Sequence, residues 1–135
     1  MKKPSITPNN QKVKYGYFTF GAFEDEVSVV LVSRGNSEII NHLKTLYADE
    51  HIYSQIASNL QEDDLGACVI TKQSVLVLFN GTPTNNTIAH EAFHLTAGLL
   101  RKAGVELTED TEEVYAHYLG FTVSKIGEII KKLTK

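Results

Sequence analysis

Two histidines and a glutamate in the middle of one predicted helix are the residues whose types and spacing could do chemistry. His90 and His94 are four positions apart, so on a helix they share a face, about 5–6 Å apart, and their imidazoles can hold one metal ion. Glu91 is rotated by about 100° from His90, which places a carboxylate beside such an ion and not on it. A carboxylate there can take a proton from water, which a catalytic zinc site acidifies. The spacing therefore predicts a zinc ion with a general base next to it.

The surroundings of this motif favour a functional pair over an incidental one. The segment lies centrally in a predicted helix, directly after a predicted strand, and its neighbours are uncharged: Ile88, Ala89, Ala92, Phe93 and Leu95. Histidines on a solvated helix face are more often flanked by lysine and glutamate. The alternative is an amphipathic helix on which the two histidines are incidental.

A catalytic zinc site usually has a third protein ligand, and no third histidine follows His94 closely. The next predicted helix offers acidic residues instead: Glu109, Asp110, Glu112 and Glu113. Acidic residues in a first helical turn are already explained by the helix dipole. Glu113 shares a helical face with residues that would permit close packing on the first helix: Ala116, His117 and Gly120. The face of Glu112 is bulkier, so we predict Glu113 as the third ligand and keep Glu112 as the alternative.

These residues resemble the gluzincin group of zinc metallopeptidases, particularly its small bacterial and phage-borne members. In this resemblance His90 and His94 match the two histidine ligands and Glu91 the general base. Glu113, three residues before an alanine, resembles the glutamate of the following helix. Thr96 departs mildly, because a hydrophobic residue is typical there. The resemblance covers about residues 74–125.

The resemblance implies a peptidase that binds one Zn²⁺ per chain and acts on a peptide or protein substrate. It also implies a sheet whose edge strand lies beside the histidine helix and pairs with an extended substrate backbone. We expect residues 74–79 to be that strand.

The last predicted helix also offers candidate supporting groups. His117 lies one turn after Glu113 and is a candidate catalytic residue that would orient a ligand or stabilise an oxyanion; the alternative is a histidine satisfied between helices. Packing is the expected role of Tyr115 and Tyr118. His42 and His51 have no other ligand type at useful spacing and are expected on the surface.

The pattern of apolar residues predicts two strand pairs, helical segments between them at about residues 37–47 and 52–60, and two long helices after them. Residues 14–23 and 27–32 form the first pair, and residues 67–71 and 74–79 the second. A helix should begin with Thr82 as N-cap and end at Ala103, with Gly104 as a left-handed stop. A last helix, capped by Thr108 or Thr111, should reach about residue 133. This order predicts an α+β single domain, with a small, mainly antiparallel sheet packed on helices and the histidine helix followed by an antiparallel C-terminal helix.

Composition places the chain among soluble globular proteins. Its 135 residues are 42% hydrophobic and 21% charged, with a formal net charge of −3, so no basic field would gather nucleic acid or anionic lipid. Residues 1–12 are predicted to be a flexible leader, and residues 13–135 the zincin-like domain. Cys68 is the only cysteine, so an internal disulfide is excluded. It is expected to lie in a buried strand. We expect a cytoplasmic protein without nucleic-acid or membrane partners.

Two other functions compete with the peptidase. One is a metal-binding, non-catalytic regulatory or interaction module with a zincin-like fold, of mobile-element origin. The other treats the histidine pair as accidental and assigns the protein an assembly role. The intact Glu91 argues against a non-catalytic descendant, which has no need of a base.

Overall fold

The structure, a computed structural model, describes residues 13–20, 25–32, 66–70 and 75–135. The leader predicted for residues 1–12 lies outside these ranges, and so do the helical segments predicted at about residues 37–47 and 52–60, with His42 and His51.

Four strands form one mixed sheet: β1 (Val13–Thr19), β2 (Glu26–Val32), β3 (Gly66–Ile70) and β4 (Val75–Asn80). Their order across the sheet is β1-β2-β4-β3. β1 is antiparallel to β2, and β3 is antiparallel to β4, whereas β2 and β4 run parallel. Both predicted strand pairs are therefore confirmed as antiparallel neighbours.

β4 is a central strand, so the prediction that residues 74–79 form the sheet edge is wrong. It lies between β2 and β3, and all six of its residues are buried. A short, uninterrupted apolar run is typical of a strand that is covered on both faces. Among the described strands, β1 and β3 are the two edges.

Helix α1 (Asn85–Lys102) begins two residues later than predicted. Thr84 is its N-cap, and the Thr84 hydroxyl accepts a hydrogen bond from the backbone N–H of Thr87. Thr82, the predicted cap, lies before the helix. Because only the Thr84 hydroxyl reaches an N–H group of the first turn, it sets the helix start. The predicted end is confirmed: Ala103 is the C-cap, and Gly104 follows with φ of 85°.

Helix α2 (Glu112–Leu133) ends at the predicted residue. Thr111 occupies the N-cap position, but its side chain does not cap the helix. Its hydroxyl instead donates to the Glu106 carbonyl and accepts from the Thr108 N–H at 2.8 Å. Thr108 and Thr111 thus stabilise the connection between the helices through hydrogen bonds within the connection itself. At the far end, Lys14 of β1 donates to the Leu133 carbonyl at 2.9 Å.

Both helices cover the same face of the sheet. A β-carbon on Gly66 or Gly16 would point into the helix layer, the first toward Glu91 of α1 and the second toward Ile129 of α2. α1 contacts α2 through Thr96 with Thr122, and the connection after α1 contacts the start of α2 through Val105 with Tyr115. The later of the two contacts along the first segment, at Val105, is made to the earlier residue of α2, Tyr115. The two helices therefore run antiparallel.

This arrangement confirms the predicted α+β single domain with a mostly antiparallel sheet. The core lies between the sheet and the helices and includes Phe20, Val77, Phe79, Leu95, Leu99 and Ile126. Within the described ranges, neither helix is long and apolar enough to cross a bilayer.

Candidate active site

α1 brings the two histidines together on an exposed face. The Nε2 atoms of His90 and His94 are 3.2 Å apart, and their ring centroids are 4.8 Å apart with the ring planes at 69°. The His90 side chain is 65% exposed, and His94 is exposed as well. The predicted pairing across one helical turn is thus present, with the two Nε2 atoms within hydrogen-bond distance of each other.

The side chain of Glu91 extends from α1 towards the edge strand β3. Its side chain is only 9% exposed, and Oε2 is 3.9 Å from Nε2 of His90. The side chain runs so close to Gly66 that a β-carbon there would lie 2.9 Å from Cγ of Glu91. The Glu91 carboxylate is therefore buried, but it lies next to the exposed histidine pair.

Cys68 is the nearest titratable neighbour of Glu91 on β3. It is partly buried, and its thiol is free. Burial, together with the negative charge of Glu91, raises the pKa of Cys68 from 9.0 to about 12. The thiol is consequently protonated at neutral pH and cannot act as a nucleophile there.

The two histidines fit two positions of a tetrahedral zinc site. Two nitrogens that each bind zinc at about 2.0–2.1 Å in tetrahedral geometry are about 3.3–3.4 Å apart. The observed separation of the Nε2 atoms, 3.2 Å, needs little adjustment to match this. Neutral imidazole is also a preferred donor for this metal.

A third ligand is not in place among the described residues. No group of three or more His, Cys, Asp or Glu side chains able to hold a metal occurs there. The helix geometry explains this for α2. Thr96, whose hydroxyl donates to Thr122, contacts α2, and Thr96 is separated from His94 by about 160° around the helix axis. The histidines therefore face away from α2, and the structure does not bring Glu113 or Glu112 to them.

The packing argument that preferred Glu113 is wrong. Ala116, His117 and Gly120 lie on an exposed face of α2, and a β-carbon on Gly120 would meet no atom within 4 Å. The buried face of α2 is the bulkier one and contains Tyr115, Thr122, Ile126 and Ile130. Glu112 precedes Tyr115 by three residues and shares that face, although both glutamates are exposed.

No protein-family model, curated protein or solved structure matches this chain.

The predicted supporting groups have packing contacts. His117 is exposed, and its ring lies edge-on to Tyr118 at 5.5 Å between centroids. Tyr118 stacks on Phe20 of β1 at 4.9 Å, and Tyr115 donates from its hydroxyl to the Val105 carbonyl at 2.6 Å. All three lie on α2, so the proposed catalytic role of His117 has no contact with the histidine pair to support it.

Gly66 and Phe93 are two residues near the site that the sequence reasoning did not single out for a role there. Phe93 is 45% exposed beside His94, with 6.3 Å between the ring centroids. Its exposure follows from its helical phase, which the sequence contains. The contact of Gly66 with Glu91 depends on how α1 lies on β3, for which the sequence has no local signal.

Proposed function

We propose that this protein is a zinc-dependent peptidase in which His90 and His94 are metal ligands and Glu91 is the general base. The observation that carries the proposal is the shared location of these three groups. Two Nε2 atoms 3.2 Å apart face solvent, and Oε2 of Glu91 is 3.9 Å from one of them.

The chemistry follows from what each group contributes. A bound zinc ion supplies a Lewis acid that polarises the substrate carbonyl and acidifies water. His90 and His94 would hold the ion through Nε2. Glu91 accepts a proton from the attacking water at its carboxylate and later returns it to the leaving amine. Its burial against β3 restricts the carboxylate to one side of the histidine pair, which favours a single productive orientation.

Glu113 remains the proposed third ligand, with Glu112 as the alternative. Either carboxylate has to lie closer to His94 than in the present arrangement, in which α2 contacts the opposite side of α1. Metal-binding free energy can drive such a local rearrangement because it is coupled to folding. Glu112 shares the helical face of Tyr115, and Glu113 does not.

The proposed substrate is a peptide or protein. β3 rather than β4 is the strand beside the histidine helix, and its outer edge has no strand partner among the described residues. An extended peptide can pair with such an edge through backbone hydrogen bonds. The exposed ring of Phe93, next to His94, offers an apolar surface for a substrate side chain.

A second candidate function is favoured by one specific observation. The described residues supply two ligands and not three, as expected for a metal-binding regulatory or interaction module with a zincin-like fold. Such a protein would bind metal without hydrolysing peptides. Two ligands alone leave the ion more exposed and more weakly held than three.

Zinc content and peptide hydrolysis, measured together, test the proposal. The chain is purified without a histidine tag, loaded with zinc, and assayed on unfolded, fluorescently labelled casein. We expect about one zinc per chain, hydrolysis in the wild type, and retained zinc without hydrolysis in Glu91→Gln. Hydrolysis by Glu91→Gln would contradict the mechanism. Zinc binding by a wild type that cleaves nothing would favour the second candidate, and no zinc at all would contradict both.

The third ligand is identified in the same experiment by Glu113→Ala and Glu112→Ala. Loss of zinc in only one variant assigns the ligand to that residue. Retention of zinc in both would place the third ligand elsewhere in the chain.

A further inference from the structure

The closest approach between the candidate base and the sheet occurs at a glycine. A β-carbon on Gly66 would lie 2.9 Å from Cγ of Glu91, 3.3 Å from its Cδ and 3.2 Å from the Leu78 carbonyl oxygen. Carbon atoms pack without repulsion at about 3.5–4.0 Å. A methyl group at this position would therefore overlap the Glu91 side chain, which would have to move.

The overlap involves the part of Glu91 that cannot yield freely. The Cγ atom is one bond from Cβ, so it is displaced only by rotation about the first side-chain bond or by movement of α1. Either change carries the carboxylate with it. The side chain is also enclosed, with 9% of its surface exposed, so nearby space into which it could shift is limited.

Gly66 belongs to a regular contact between α1 and the edge strand. Gly66, Cys68 and Ile70 alternate on β3 and face the helix. On α1, Glu91 and Gly98 are seven residues apart and lie on one side of the helix. Glu91 meets Gly66, and Gly98 meets Ile70 at its Cδ1 atom. The helix thus lies along β3, with one glycine contributed by each element.

From these contacts we propose that Gly66 is a positioning residue for the base: the missing side chain at this point of β3 lets the Glu91 carboxylate lie beside His90. This inference rests on the proposed function, because it assumes that Glu91 is the base. Gly66 does not touch the histidines or a substrate, and it acts only through the place that it leaves for Glu91.

Gly66→Ala tests the proposal through the separation of kcat from KM. We expect kcat on labelled casein to fall about 100-fold, as misplacement of a reacting group by about 1 Å can produce. KM and zinc content should stay unchanged, since neither histidine contacts Gly66. A variant that loses zinc, or whose KM rises while kcat is kept, would overturn the proposal.

Gly98→Ala is the matched control at the same interface. Its new methyl group would also press α1 against β3, but the neighbour is the flexible end of Ile70 and not Glu91. We expect kcat to change much less in this variant. An equal fall in kcat for both variants would mean that general loosening of the interface is the cause, and would overturn the positioning role.

A double-mutant cycle gives a measurement that does not need activity. The loss of stability caused by Gly66→Ala is measured by urea unfolding in the wild type and in the Glu91→Ala background, which lacks Cγ and Cδ. We expect a clearly smaller loss in that background, because the overlap with Glu91 is removed. Equal losses in both backgrounds would overturn the contact. An inactive wild type would contradict the proposed function, while the cycle would still decide whether Gly66 holds Glu91 in place.

Discussion

The hydroxyl of Thr96 donates a hydrogen bond to the hydroxyl of Thr122 at 3.3 Å, in the buried seam between α1 and α2. Thr96 follows His94 by two residues, so the two side chains are about 160° apart around the helix axis. Because this contact lies on the side of α1 opposite His94, the histidine face points away from α2. A residue of α2 can therefore complete the proposed metal site only if the packing of the two helices changes.

The threonine pair should make an energetic contribution that depends on both hydroxyls. Thr96→Val or Thr122→Val alone leaves one buried hydroxyl without its partner, so each should lower the free energy of unfolding by about 1–3 kcal/mol. The double variant, which removes both hydroxyls with similar shape, should lose less than the sum of the two. Urea unfolding of the four proteins measures this coupling. Strictly additive losses would show that the hydroxyls do not interact in solution.

Cys68 should make the stability of the protein depend on pH in the alkaline range. Its pKa is raised from 9.0 to about 12 by burial and by the charge of Glu91. The folded thiol therefore keeps its proton at pH values where the unfolded thiol has lost it. The corresponding stabilisation is complete below about pH 9 and is lost as the pH rises towards 12.

Urea unfolding between about pH 8 and pH 10.5 checks this prediction, with a limiting slope of about 1.4 kcal/mol per pH unit for one proton. Cys68→Ala is the control, because it removes the thiol and leaves every other titratable group in place. We expect a flatter pH profile for the variant. Parallel profiles for the two proteins would mean that the thiol does not contribute.

The parts of the fold that could be predicted from sequence are those with local signals. The β1–β2 and β3–β4 pairs follow from short β-branched or aromatic runs that lie close in sequence, and the end of α1 follows from Gly104. The parallel pairing of β2 with β4 joins strands that are distant in sequence. No local pattern specifies that neighbour, so the edge strand was assigned to the wrong segment.

The candidate site divides in the same way. The pairing of His90 with His94 is set by helical spacing alone, and the structure contains it. Which face of α2 packs inward depends instead on which face removes more apolar surface from water when it is buried. Alanine and glycine are compatible with either packing or exposure, whereas burial of Tyr115 and Ile126 removes far more apolar surface from water. The bulkier face therefore packs inward, and the small-residue face of Glu113 is left outside.

Tyr115 should anchor the start of α2 to the connection after α1. Its hydroxyl donates to the Val105 carbonyl at 2.6 Å, and the residue is buried. Tyr115→Phe keeps the ring and removes the bond, so we expect a loss of about 0.5–1.5 kcal/mol in the free energy of unfolding. An unchanged free energy of unfolding in Tyr115→Phe would argue against a specific anchor.

Zinc should stabilise the folded protein through the histidine pair. A ligand that binds only the native state raises the unfolding free energy by about 2.7 kcal/mol at a free concentration of 100 times Kd. We therefore expect zinc to raise the Tm of the wild type and EDTA to reverse the shift. His94→Ala should abolish it, since one imidazole holds the ion far more weakly than two.

The size of this shift in the glutamate variants bears on the contact between Thr96 and Thr122. If the first turn of α2 approaches the histidines when zinc binds, Glu113→Ala or Glu112→Ala will reduce the shift, and hydrogen exchange near residue 112 will slow on zinc addition. A full shift in both variants, with unchanged exchange, would mean that α2 stays on the far side of α1 and that the ion is held without it. A shift that survives His94→Ala would place the zinc somewhere other than the proposed site.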